Sequence, residues 1–302
     1  MIGIIGLGKV GSTIAEQLVL RELDDLVLMD IVKGLPQGNA LDLCHMASAV
    51  DINVKIKGSN DYKDLEGCNI VILTAGFPRT HDMSRLDLLQ KNKSIIVEIS
   101  SKIIEYAPKS NVIVVTNPLD MMTYLTLKST GFDRNHVFGV GSELDAARLK
   151  FYISSILNIP SSSIDAIVIG EHGDSMVVLE SHSKVNGLPL NKILDPSKIA
   201  ELINKLKKSG AEVISLKGFT AFGIASATSS IVETMIKDKR RMHLVSFYLN
   251  GEYGFNDVCI GVPVIIGRNG IERVIELDLN VDEREKLMKS VKVIKNSIEL
   301  LI

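Results

Sequence analysis

Over the first half of the chain, short unbroken apolar runs alternate with longer stretches whose apolar residues return every three or four positions. The unbroken runs are Ile2 to Ile5, Leu26 to Met29, Asn69 to Leu73 and Asn111 to Val115. Between them, Ser12 to Leu20 sets Ile14, Leu18 and Val19 on one side, and Gln37 to Val50 and Ser84 to Tyr106 keep the same helical spacing. Strands without polar alternation need cover on both faces, so the pattern predicts a parallel sheet between helices. The second half reads differently. Helices are predicted at Glu143 to Asn158, Pro196 to Lys208, Ala211 to Lys237 and Asp282 to Leu300. Strands are predicted at Ala166 to Gly170 and Met176 to His182, with an antiparallel pair, His243 to Leu249 and Val258 to Ile266, across a Gly-containing turn. The change of character divides the chain into residues 1–142 and 143–302.

Composition narrows this little. At 302 residues, two domains of roughly 150 are expected. The net charge of −2 gives no electrostatic reason to expect nucleic acid or an anionic membrane as partner. Cys44, Cys68 and Cys259 are widely spaced and form no Cys-x-x-Cys, which predicts reduced thiols and no bound metal. Met1 leads straight into an apolar strand without a basic leader, and no apolar run approaches roughly 18 residues; a cytoplasmic protein is expected.

The first candidate chemistry sits where the first strand meets the first helix. Gly6-Leu7-Gly8-Lys9-Val10-Gly11 has the spacing of a dinucleotide loop: a tight turn at Gly6, close ligand approach at Gly8, close helix packing at Gly11. The helix N-terminus favours phosphate charge. Asp30, at the end of the second strand, is placed to accept from a ribose diol and to repel a 2′-phosphate, which favours NAD over NADP. Thr74-Ala75-Gly76 and Val115-Thr116-Asn117 follow two further apolar strands and should line the same crevice; Asn92 is a candidate to face the cofactor as well. The expected class is α/β, an N-terminal Rossmann parallel sheet with a C-terminal α+β catalytic domain.

The second candidate chemistry is Glu171-His172-Gly173-Asp174 with Asp145 and Arg148. A neutral imidazole can take a hydroxyl proton while hydride leaves the adjoining carbon, and an Asp behind the ring fixes its tautomer and raises its pKa. Arg148 shares a helix face with Asp145 and offers a planar fork for a carboxylate. Taken singly, each residue has an ordinary structural reading, such as a surface ion pair worth under about 1 kcal/mol. Together with the crevice they point to a nicotinamide-dependent oxidoreductase. Arg79 adds a further cation, which fits a substrate with a second carboxylate.

These blocks, with Gly38-Asn39-Ala40-Leu41-Asp42-Leu43, resemble the lactate/malate dehydrogenase family in order and over essentially the whole chain. The resemblance implies that His172 accepts the proton with Asp145 as partner. It implies that Arg148 binds the C1 carboxylate, Arg85 polarises the carbonyl from a mobile loop, and Asn117 hydrogen-bonds the substrate. Arg79 occupies the position that holds arginine in malate enzymes and glutamine in lactate enzymes. The implied activity is NAD-dependent exchange between (S)-malate and oxaloacetate, a small dicarboxylate pair, in a homotetramer rather than a dimer. Glu171, and Thr220 at a substrate-pocket position, are instead similar to lactate enzymes. The open alternatives are an L-lactate or dual-specificity dehydrogenase, a catalytically silent NAD-binding sensor, and a sugar-phosphate or 6-phospho-glycosidase enzyme. The last would call for a Cys/His metal cluster, which the sequence lacks.

Overall fold

Four-residue apolar runs form strands here because each is closed in on both faces. In the computed structural model, which describes residues 1–77 and 85–300 (backbone only at 85–87), β1 (Ile2–Ile5), β2 (Leu26–Met29) and β4 (Ile70–Leu73) are buried along their whole length. Between them run α1 (Lys9–Leu20), α2 (Leu35–Ala49) and the half-buried β3 (Ile56–Ser59). Then come α3 (Arg85–Tyr106), β5 (Asn111–Val114), α4 (Leu119–Thr130) and β6 (Val137–Gly139). The parallel strands lie in the order β3-β2-β1-β4-β5-β6, so the chain reverses direction across the sheet between β1 and β4. That switch point is where such sheets open a crevice beyond their carboxyl ends.

The sheet does not stop at residue 142. After α5 (Ser142–Leu157) come short strands β7 (Ile164–Asp165), β8 (Val168–Ile169), β9 (Val177–Val178), β10 (Lys184–Val185) and β11 (Leu188–Pro189). Helices α6 (Pro196–Lys217) and α7 (Phe222–Ile236) lead to the meander β12 (Arg241–Asn250), β13 (Asn256–Gly267) and β14 (Gly270–Val274), and α8 (Val281–Glu299) closes the described chain. β12 joins β6 antiparallel at one residue pair, Ser246 with Gly139, extending the sheet to nine strands. Helix α7 packs on α1, with Gln17 bonded to Ser226 at 3.0 Å and Arg21 to Glu233 at 3.1 Å. No helix among the described residues is long and apolar enough to cross a membrane.

Three expectations need correction. Lys208 does not end a helix and Ala211 does not begin one: α6 runs unbroken through Ser209 and Gly210. A Cβ at Gly210 would stand 3.3 Å from Arg148 Nη2, so the glycine's helix-propensity cost accompanies a close seat for that guanidinium. The break falls at Gly218, whose φ of +86° caps α6 through its N–H to Ile214 O. Of Met176 to His182, only Val177–Val178 is strand, pairing with Val168–Ile169; beyond it Ser183 N–H turns back to Leu179 O at 2.7 Å. α4, β3, β6 and β14 were not anticipated from the pattern.

Candidate active site

The crevice begins with glycines that have different reasons to be glycine. Gly6 lies at φ +97°, and a Cβ there would come within 2.5 Å of Ala75 N. A Cβ at Gly11 would collide with Gly6 O, so α1 can sit against β1 only without it. Gly8 is the opposite case: a Cβ there would meet nothing within 4 Å. The protein itself leaves that space open, immediately before a helix with no side-chain cap and no acidic residue in its first turn. Its first N–H groups are thus presented for an anion. Lys9 and Val10 follow in that first turn, Lys9 exposed and Val10 half-buried.

Asp30 stands beside this loop. Its Oδ2 accepts the Leu7 N–H at 2.7 Å and its Oδ1 the Val32 N–H at 2.9 Å, which fixes the carboxylate at the end of β2. Each oxygen keeps a further lone pair for a donor such as a ribose hydroxyl. The loops after β4 and β5 close the crevice. Thr74 Oγ1 donates to Gly6 O at 2.5 Å, and Thr116 Oγ1 to Ala75 O at 2.8 Å, beside the buried Val115. Asn92, 1 % exposed, accepts the Phe77 N–H at 2.8 Å and donates to Asn117 O at 2.7 Å. Its amide therefore ties these two loops together, packed under Gly76. The Asn117 side chain is exposed at the rim.

His172 lies at the carboxyl ends of β5 and β6, against Leu119 and Gly141; a Cβ on Gly141 would sit 2.6 Å from the ring. The turn carrying it is pinned by reciprocal hydrogen bonds between Gly170 and Gly261 on β13, both 2.9 Å. On α5, Asp145 is fully buried and divides its carboxylate: Oδ2 meets His172 Nδ1 at 2.6 Å and Oδ1 meets Arg148 Nη1 at 3.2 Å. A carboxylate only accepts, so Nδ1 carries the proton and Nε2 is left for chemistry. Burial disfavours a charged ring, but Asp145, by charge and hydrogen bond, and Asp120 outweigh it against Arg148, and the His172 pKa is raised.

Asp120 is the residue that sequence reasoning missed. It is 1 % exposed, accepts the His172 N–H at 2.9 Å and the Ser246 hydroxyl at 2.6 Å, and burial pushes its pKa up to about 6. A lone acid in the apolar run Pro118-Leu119-Asp120-Met121-Met122 was the available signal. Glu171, 5 % exposed, accepts from the Ser175 hydroxyl at 2.6 Å, within the turn that presents His172. Thr220 is half-buried in the link between α6 and α7, where the neighbouring Phe219 ring lies 5.6 Å from Lys9 Nζ of the glycine loop. Arg79 lies outside the described residues. Arg85 opens α3, and its side chain lies outside them too.

Two family models divide the chain. Residues 1–139 match the lactate/malate dehydrogenase NAD binding domain, and residues 142–302 match the alpha/beta C-terminal domain of the same family. The chain is 46 % identical to a malate dehydrogenase of Trichormus variabilis over 99 % of this chain and 93 % of that one. It is 45 % identical to a malate dehydrogenase of Pyrobaculum aerophilum, over 99 % and 97 %. Among solved structures, the malate dehydrogenase of Aeropyrum pernix superposes with a TM-score of 0.97 at 41 % identity, covering 99 % of this chain and 97 % of that one.

Proposed function

The chain belongs to the lactate/malate dehydrogenase family, and from that premise we propose that it is an NAD-dependent malate dehydrogenase, interconverting (S)-malate and oxaloacetate. The observation that carries the reading is the divided Asp145 carboxylate, holding His172 and Arg148 together at the carboxyl edge of the sheet that bears the open glycine loop. The residues fit the cofactor: the space at Gly8 and the uncapped α1 take the pyrophosphate, and Asp30 takes the adenine ribose. NAD bound there supplies the carbon that accepts hydride from C2 of malate.

Within that reading each side chain has one task. His172 Nε2 takes the malate hydroxyl proton as the C2 hydride leaves, and returns it when oxaloacetate is reduced. Asp145 keeps the proton on Nδ1 and stabilises the imidazolium. Arg148 grips the C1 carboxylate, Asn117 donates to the substrate at the rim, and Thr220 borders the pocket. Asn92 acts through the loops that it ties. For Arg79 we propose the distal carboxylate, and for Arg85 the carbonyl oxygen as negative charge grows on it. We place the division between the cofactor and substrate halves near residue 142. The assembly is proposed as a cytoplasmic homotetramer, supported by an α2 that leaves Leu41 59 % exposed and Leu43 and Met46 half-buried.

The test is kcat/KM with oxaloacetate and with pyruvate, under NADH and NADPH. Oxaloacetate with NADH is expected to lead. Arg79→Gln should cost oxaloacetate roughly 10²–10³-fold, the cost of leaving a buried charge without its partner. A wild type that prefers pyruvate would hand the assignment to L-lactate dehydrogenase.

A further inference from the structure

β12 is a shared reference for both halves of the His172–Asp145 pair. On its edge toward the parallel strands it meets β6 only at Ser246. Two residues earlier, where β6 no longer reaches, the Leu244 N–H donates to Glu143 Oε2 at 2.9 Å. The side chain of Glu143, in the first turn of α5, thus continues the ladder in place of a strand. Its Oε1 accepts from His243 Nδ1 at 3.2 Å, and His243 Nε2 meets Thr234 Oγ1 of α7 at 2.9 Å. His243 is 4 % exposed, so this is a buried, fully partnered ring rather than a surface ion pair.

Glu143 lies on the same helical turn as Asp145. Ser246, on the same strand as His243, holds Asp120, which holds the His172 N–H. Residues 243 and 244 of one strand therefore hold α5, and residue 246 of the same strand holds the His172 backbone through Asp120. The 2.6 Å contact between Asp145 and His172 closes that loop. We propose that Glu143 and His243 are positioning residues of the reaction: their clamp on β12 sets Asp145 against His172 and so sets the basicity of the ring. The inference rests on the reading of His172 as the proton carrier. Among the described residues, the charges facing His172 are Asp145 and Arg148 from α5, the helix that carries Glu143, and Asp120 from α4.

The test uses the full-length enzyme with Glu143→Ala, Glu143→Gln, His243→Leu and His243→Gln, and His172→Asn as reference. Misplacement on the order of 1 Å in such a relay costs up to about 10²-fold in rate. Glu143→Ala and His243→Leu are expected to lower kcat about tenfold or more, leave the KM for NADH unchanged, and move the kinetic pKa of kcat/KM downward. Glu143→Gln keeps an acceptor for Leu244 N–H, and His243→Gln keeps a donor for Glu143, so both should recover much of the rate. A purely structural role would lower the thermal midpoint and leave the kinetic pKa in place, and that result overturns the proposal. If Glu143→Ala or His243→Leu does not fold, Glu143→Asp, one methylene too short to hold both Leu244 N–H and His243, takes its place, and an unmoved kinetic pKa and kcat there overturns the proposal. His172→Asn separates the two readings. Near-normal turnover there ends the relay itself, whereas a dead His172→Asn beside an unmoved Glu143→Ala ends only the clamp.

Discussion

The crevice proposed for the cofactor and the site proposed for the proton adjoin along one sheet edge, yet they are built from opposite materials. The crevice is made of backbone and of missing side chains: Gly6 and Gly11 make room for the protein's own chain, and Gly8 makes room for something else. The proton site is made of buried charge, with Asp145, Asp120 and His172 drawn from three separate segments and little water to screen them. The first should fail when atoms are added, and the second when they are taken away. Cofactor binding and proton transfer should accordingly be separable by mutation.

The largest expected separation is His172→Asn. Its ring proton carrier is gone while the glycine loop is untouched, so kcat should fall roughly 10²-fold or more with the NADH Kd unchanged. Stopped-flow turnover with fluorescence titration of NADH checks both. A parallel loss of NADH binding would mean that the two sites are not independent.

Gly8→Asp probes the other side. The backbone at Gly8 is extended, φ −69° and ψ −170°, which suits an N-cap aspartate. The fold should gain about 0.5 kcal/mol from the cap and the helix dipole. The NADH Kd should nevertheless rise at least about tenfold, because the carboxylate takes the open space and repels the pyrophosphate. Calorimetric unfolding and NADH titration read the two effects; unchanged NADH affinity would remove Gly8 from the phosphate seat.

A smaller effect is expected where the halves merely touch. Glu233 on α7 pairs with Arg21 of α1 and with Lys237 and Lys239, and the hydrogen bonds from Lys239 and Lys237 hold its pKa down to about 2. A lowered carboxylate pKa contributes stability above the ordinary value near 4.5, lost as pH falls toward 2. These pairs are partly exposed and screened, so Glu233→Gln should cost under about 1 kcal/mol in a urea melt at pH 7 and leave kcat alone.

What could be read in the sequence follows from the same contrast. The parallel strands were visible because unbroken apolar runs such as Ile70–Leu73 have few other uses, and the glycine loop was visible because its residues are contiguous. Helix α4 escaped notice because nearly all of it is buried, from Leu119 to Thr130, which leaves no polar face to give a period. β6, at three residues, is too short for alternation to register. Asp120 stood out as a lone acid among apolar residues, but its role could not be read because its partners, His172 and Ser246, lie 52 and 126 positions away. The end of α6 was misplaced because Gly210 reads as a breaker, whereas its bare backbone seats Arg148.

His172 is the proposed carrier of the proton, with a pKa raised by Asp145. A raised folded pKa keeps the ring charged to higher pH, so it stabilises the fold below about 6.5 and ceases to as pH climbs through the raised value. Oxaloacetate reduction needs the charged ring and malate oxidation the neutral one. The direct measurement is kcat/KM against pH in both directions, for the wild type and Asp145→Asn. Reduction should fall and oxidation rise through one shared pKa above 6.5, and Asp145→Asn should shift both curves downward in pH. Profiles that titrate below 6.5, or that do not move in Asp145→Asn, would contradict the assignment.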